Sequence, residues 1–154
     1  MPTKTLTVTK PVKNALQSEI LEYISKAKTK AEKIKLLQEQ KENQALIALL
    51  VWNFDPNVKS ALPEGEVPFT RNEAPKGTEH TVLAREYRNL YKYCEGGDNS
   101  LTRNRREMLF IQLLEGLHED EADLLCLVKD KKLGTKYKIT YPIVQEAFPE
   151  RQWG

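Results

Sequence analysis

Cations are the residues of this 154-residue chain best placed to do chemistry, and they fall in two groups. Arg103, Arg105 and Arg106 stand within residues 99–106 with no acidic residue among them. Lys129, Lys131, Lys132, Lys136 and Lys138 stand within residues 129–138 against a single acid, Asp130. The local charges are +3 and +4 against a net charge of +2 for the whole chain, which leaves the remainder at −5. Each group lies at a junction between helical patterns. A helix N-terminus offers free N–H groups and the positive end of the helix dipole, and cations beside it make a site suited to phosphate. The candidate ligands are Thr102, Arg103, Asn104 and Arg105 at one junction, and Lys131, Lys132, Gly134, Lys136 and Lys138 at the other. Thr102 and Asn104 can donate hydrogen bonds to phosphate oxygens, Gly134 permits close backbone approach, and the Arg and Lys side chains neutralise charge. A further run, Lys26, Lys28, Lys30, Lys33 and Lys35, reads as a solvated helix face.

Catalytic patterns are missing. The two histidines, His80 and His118, lie in different segments, and neither belongs to a zinc-type cluster, so no metal is expected. Cys94 and Cys126 form no CxxC pair and read as free thiols. There is no GxSxG elbow, no phosphate-binding glycine loop and no dinucleotide fingerprint. Gly96-Gly97 reads as a turn between helices. Glu119, Asp120 and Glu121 read as the acidic first turn of a helix, where the dipole favours negative charge. These observations point to a binding protein rather than an enzyme, with no cofactor. The longest apolar run, residues 45–52, is well short of the roughly twenty needed to span a bilayer. Residues 1–10 lack the apolar stretch of a secretory signal, so an intracellular, cytoplasmic chain is expected.

The elements that must hold these residues read as helices throughout, and the expected fold is all-α. Ala15, Leu16, Ile20, Tyr23 and Ile24 recur at helical spacing over residues 13–27. Thr29 and Glu32 make a capping box for a second helix ending near Lys41. Asn43 caps a third over residues 44–53, apolar on every side and therefore expected in the middle of a bundle. Asp55-Pro56 is a possible start for a short helix. Residues 63–78 hold three prolines and two glycines and read as an extended loop inside one domain. Further helices are expected over residues 81–94 and 101–117, after His118, and from Thr140 to the stop at Pro149. A basic loop is expected over residues 129–139. Seven or eight helices should then pack around the third, with Leu113, Leu117, Leu125 and Val128 in the same core.

The order of these pieces resembles the N-terminal DNA-binding domain of ATP-dependent DNA ligases, especially the ligase of T-even phages. Glu19-Ile20-Leu21-Glu22-Tyr23-Ile24 followed by Thr29-Lys30-Ala31-Glu32-Lys33-Ile34 is similar to that domain's opening. Leu101-Thr102-Arg103-Asn104 is similar to its Leu-Thr-Gly-Asn stretch. Lys129-Asp130-Lys131-Lys132-Leu133-Gly134 sits where that family has a basic turn, and Val144-Gln145-Glu146-Ala147-Phe148-Pro149 is similar to its closing helix. The chain also resembles short proteins of T-even-like phages of cyanobacteria. The ligase resemblance implies an all-helical, non-catalytic domain that grips duplex DNA around a nick, mainly through phosphates. Arg103 stands where that family has glycine, and the loop over residues 63–78 is richer in proline. Two readings follow. One is a stand-alone module for duplex DNA, intact or with nicks or ends, working beside replication or repair proteins. The other is a phage protein-interaction or virion component that keeps the fold without DNA.

Overall fold

The computed structural model describes residues 15–72 and 80–153. Within them the chain forms eight α-helices and one 3₁₀ segment: α1 (Gln17–Ser25), α2 (Lys30–Gln38), α3 (Gln44–Phe54), α4 (Leu83–Glu86), the 3₁₀ segment (Tyr87–Tyr93), α5 (Arg103–Gly116), α6 (Glu119–Lys129), α7 (Leu133–Tyr137) and α8 (Tyr141–Ala147). An isolated bridge between Ser60 and Cys94 is the extended pairing found among the described residues. The protein is an all-α, multi-helix fold.

Capping chemistry sets several of the starts. The Thr29 hydroxyl accepts from the Glu32 N–H at 3.1 Å, and the Asn43 side chain accepts from the Leu46 N–H at 3.1 Å. Each satisfies a donor that has no partner inside its helix. The third helix lies where its composition requires, with Ala45, Leu46, Leu49, Leu50 and Trp52 buried. It packs on α4, the 3₁₀ segment and α6. Leu117, Leu125 and Val128 join the same core, whereas Leu113 is only partly buried at its edge and Met108 is exposed.

Buried Glu121 fastens three helices together. From the first turn of α6 its carboxylate accepts from the Gln17 N–H at 2.8 Å and the Leu83 N–H at 2.9 Å, the first residues of α1 and α4. One anion thus caps two helix starts whose own cap positions, Leu16 and Val82, carry no polar side chain.

Several sequence expectations are corrected. Asp55 does not open a helix; its carboxylate accepts from the Asn57 N–H at 2.9 Å in a turn, the Asx geometry that competes with helix. Residues 81–94 form a short α-helix that tightens into the 3₁₀ segment. The expected basic loop over residues 129–139 contains α7, whose first N–H, from Leu133, is taken by the buried Asn53 side chain at 3.0 Å. That cap comes from eighty residues away and has no local signature. Part of the expected loop over residues 63–78 lies outside the described residues; residues 63–72 carry no helix. Lys13 and Asn14 of the first expected helix also lie outside them.

Candidate nucleic-acid interface

The first basic junction is set by Thr102, whose hydroxyl accepts from the Arg105 N–H at 3.1 Å and starts α5. Arg103, Asn104 and Arg105 follow on an exposed turn. The Arg103 guanidinium donates to the Glu107 carboxylate at 2.9 Å yet stays 77 % exposed, so the pair is weak and the cation remains available. Arg106 behaves differently. Its guanidinium donates to the carbonyls of Lys92 at 2.9 Å and Asp98 at 3.0 Å. It therefore pins the turn before α5 rather than facing solvent. That turn needs Gly97, because a β-carbon there would lie 1.8 Å from the Tyr91 carbonyl oxygen.

The second junction divides the same way. The Lys129 ammonium is buried and donates to the carbonyls of Pro63 at 2.7 Å and Gly65 at 3.0 Å, and to Asp130 at 2.6 Å. Lys131 takes a left-handed backbone, φ 59°, and turns its ammonium onto the carbonyls of Trp52 and Asp55, each at 2.9 Å. These carbonyls close α3, the negative end of its dipole. Burial pushes the Lys131 ammonium below its ordinary pKa, and Asp55 opposes the shift. Gly134 is required by the chain itself, since a β-carbon would lie 2.7 Å from the Ile139 carbonyl oxygen. Lys131, Lys132, Lys136 and Lys138 are all exposed as residues, but the Lys131 ammonium is held on carbonyls. Lys132 stands 3.9 Å from Glu64, and Lys136 lies 5.5 Å from the centre of the Tyr137 ring. Lys131 and Gly134 thus have structural roles, and the free cations of the second group are Lys132, Lys136 and Lys138.

The two junctions share α6 as a neighbour and otherwise differ. α5 packs on the 3₁₀ segment and α6, while α7 packs on α1 and α6. What the second junction meets is α2: the Lys33 ammonium donates to the Lys138 carbonyl at 2.8 Å. The lysine run of residues 26–35, five lysines against one glutamate, therefore reaches the second junction at Lys138. Composition alone gave that run no role, and the contact that does so spans 105 residues. Lys30 also meets Glu146 of α8 at 3.1 Å, an exposed pair.

His118 Nδ1 accepts from the Asp120 N–H at 3.0 Å and caps α6. Desolvation by burial pushes the Cys94 and Cys126 thiols up to about 11, so neither is a ready nucleophile at neutral pH. Among the described residues no group of three or more His, Cys, Asp or Glu could hold a metal ion, and no helix is long and apolar enough to cross a membrane.

No curated protein and no solved structure matches the chain. A family model does, over residues 20–135, which takes in α1 to α6 and the start of α7. The chain accordingly belongs to DUF6433, a family of unknown function.

Proposed function

We propose that this chain is a non-catalytic module that binds the phosphate backbone of duplex DNA, including duplex with nicks or ends. The observation that carries the proposal is the Lys33–Lys138 contact, which sets the lysine-rich α2 beside the second basic segment and so gathers exposed cations from distant parts of the chain. Lys28 and Lys30 on one side of that contact in sequence, and Lys132, Lys136 and Lys138 on the other, are all exposed. The exposed first turn of α5 adds Arg103 and Arg105, with Asn104 and the Thr102 hydroxyl as hydrogen-bond donors. Such contacts read charge and spacing rather than sequence. The order of segments, which resembles that of the ligase DNA-binding domain, supports the same reading. The proposed place of work is the cytoplasm, that of an infected host cell if the gene is a phage gene.

The test is a gel-shift series with nicked, intact and single-stranded DNA at low salt, using wild type and the Lys28→Glu, Lys136→Glu, Lys138→Glu triple variant. The variant should lose roughly tenfold or more in duplex affinity while keeping its helical circular dichroism. Equal affinity of the two proteins would remove α2 and α7 from the interface. A second reading has one observation in its favour: Tyr91 and Met108 are large hydrophobic residues about half exposed, at 51 % and 52 %. A protein partner rather than DNA would use them, and Met108→Lys would then abolish its binding without changing duplex affinity.

A further inference from the structure

Outside the basic segments, three half-buried aromatic rings gather from distant parts of the chain. Phe54 closes α3, Tyr141 opens α8, and Trp153 follows α8. The Phe54 and Tyr141 rings are nearly parallel, 5° apart in plane with centres 6.3 Å apart. The Trp153 indole meets the Tyr141 ring edge to face at 6.0 Å. The indole N–H is already satisfied, donating to the Phe148 carbonyl at 3.1 Å, so what Trp153 has left to offer is its ring. Arg151 lies over that ring at 5.4 Å and is held from the other side by the buried Asp55 carboxylate at 3.6 Å. The Asp55 carbonyl in turn receives the Lys131 ammonium at 2.9 Å. Two consecutive residues, Phe54 and Asp55, therefore join an aromatic group to an arginine and to the second basic segment.

We propose that this aromatic group, flanked by Arg151, is a stacking site for an unpaired nucleobase of a strand whose phosphates the neighbouring cations hold. Ring faces accept any base by stacking, and cations beside them follow the backbone. Bases inside a duplex have both faces covered by their neighbours, so the site selects a base that has left the stack, at an overhang, a frayed end or a gap. The inference rests on the phosphate-binding function proposed above and gives it a preference for one form of DNA.

Two measurements on the full chain test it. Trp52 is buried at 2 % exposure, so quenching of tryptophan emission by a short oligothymidylate reports on Trp153. Quenching should occur in wild type and disappear in Trp153→Phe. In anisotropy titrations, a duplex with a short thymidylate overhang should bind about tenfold more tightly than its blunt counterpart. Tyr141→Ala should bring the overhang affinity down to the blunt value and leave blunt binding unchanged. Arg151→Gln, at an exposed position whose buried partner Asp55 keeps the Asn57 N–H, should lower the preference several-fold and covers the case in which Tyr141→Ala unfolds. Equal binding of blunt and overhang duplex without quenching overturns the stacking site and leaves the phosphate-binding function standing. Quenching without duplex affinity overturns that function and keeps the site. Silence to both probes overturns both. A change in molecular mass on Tyr141→Ala, measured by sedimentation, would assign the rings to self-association instead and would also overturn the site.

Discussion

Glu121 and Lys129 are charged residues that are almost wholly buried, at 1 % and 2 % exposure, and both act on backbone rather than on a ligand. Glu121 supplies the acceptor for two helix starts, so Glu121→Ala leaves two buried N–H groups without a partner. The expected cost is about 2–5 kcal/mol in urea unfolding, and Glu121→Gln, with a single carbonyl oxygen, should cost about half as much. A loss below roughly 1 kcal/mol would mean that water or a neighbour replaces the carboxylate. Lys129 and Lys132, three positions apart, make the contrast within the basic segment. Lys129→Met strands two carbonyls and leaves the Asp130 carboxylate with the Gly65 N–H but without its cation, and should destabilise by about 3 kcal/mol, whereas Lys132→Ala should fall within about 0.5 kcal/mol of wild type. The thiols give a pH signature. Burial raises Cys94 and Cys126 from the ordinary 9.0 to about 11, and Tyr93 from 10.0 to about 12. A raised pKa means that the folded chain holds its proton more tightly than the unfolded chain. That stability is complete below about pH 9 and is lost as pH rises through about 11 and 12. Tm should therefore fall steadily above about pH 9, and alkylation of the native thiols near pH 8 should be far slower than that of free cysteine, with about one thiol in a thousand ionised. A flat Tm across that range would contradict the burial of these groups.

The helix starts show which physics is legible in a sequence. Thr29 and Asn43 cap locally, with partner N–H groups three residues away, and the helices they open start as expected, α3 ending one residue beyond its expected bound and α2 three residues short of Lys41. α7 was not legible, because the donor it must satisfy, the Leu133 N–H, is taken by Asn53 from another helix. Glu121 was legible as first-turn acid but not as the cap of α1 and α4, since those partners lie 104 and 38 residues away. Glycine carries the same lesson. Gly134 was marked from sequence as a place where backbone meets a ligand, yet the backbone that approaches it is the chain's own, at Ile139. Gly134→Ala should accordingly destabilise by about 1–3 kcal/mol by pushing α7 off the 139 carbonyl, and any loss of binding should track that unfolding. A fully stable Gly134→Ala protein that no longer binds would restore the ligand role. At α5, Thr102→Ala removes one cap hydrogen bond and should cost about 1 kcal/mol.

At the scale of the molecule, composition and periodicity made the all-α fold and its buried third helix readable, while the candidate interface was readable only in part. Sequence marks where cations cluster but not which of them the fold consumes. Arg106 and Lys129 are turned inward onto carbonyls, the ammonium of exposed Lys131 is tied to two more, and Lys33 of α2, in a run that reads as solvent charge, meets Lys138. The central claim is that the remaining exposed cations hold duplex phosphates. Its most direct test is the salt dependence of duplex affinity, followed by fluorescence anisotropy with two labelled duplexes of unrelated sequence. Each neutralised phosphate releases condensed counterion, so contacts to about four phosphates give a log–log slope of about −4, the same for both sequences. Replacing Lys136 and Lys138 by Ala should flatten that slope by one to two units. A folded protein with no measurable duplex affinity at low salt, or with an affinity that salt does not change, would contradict the account.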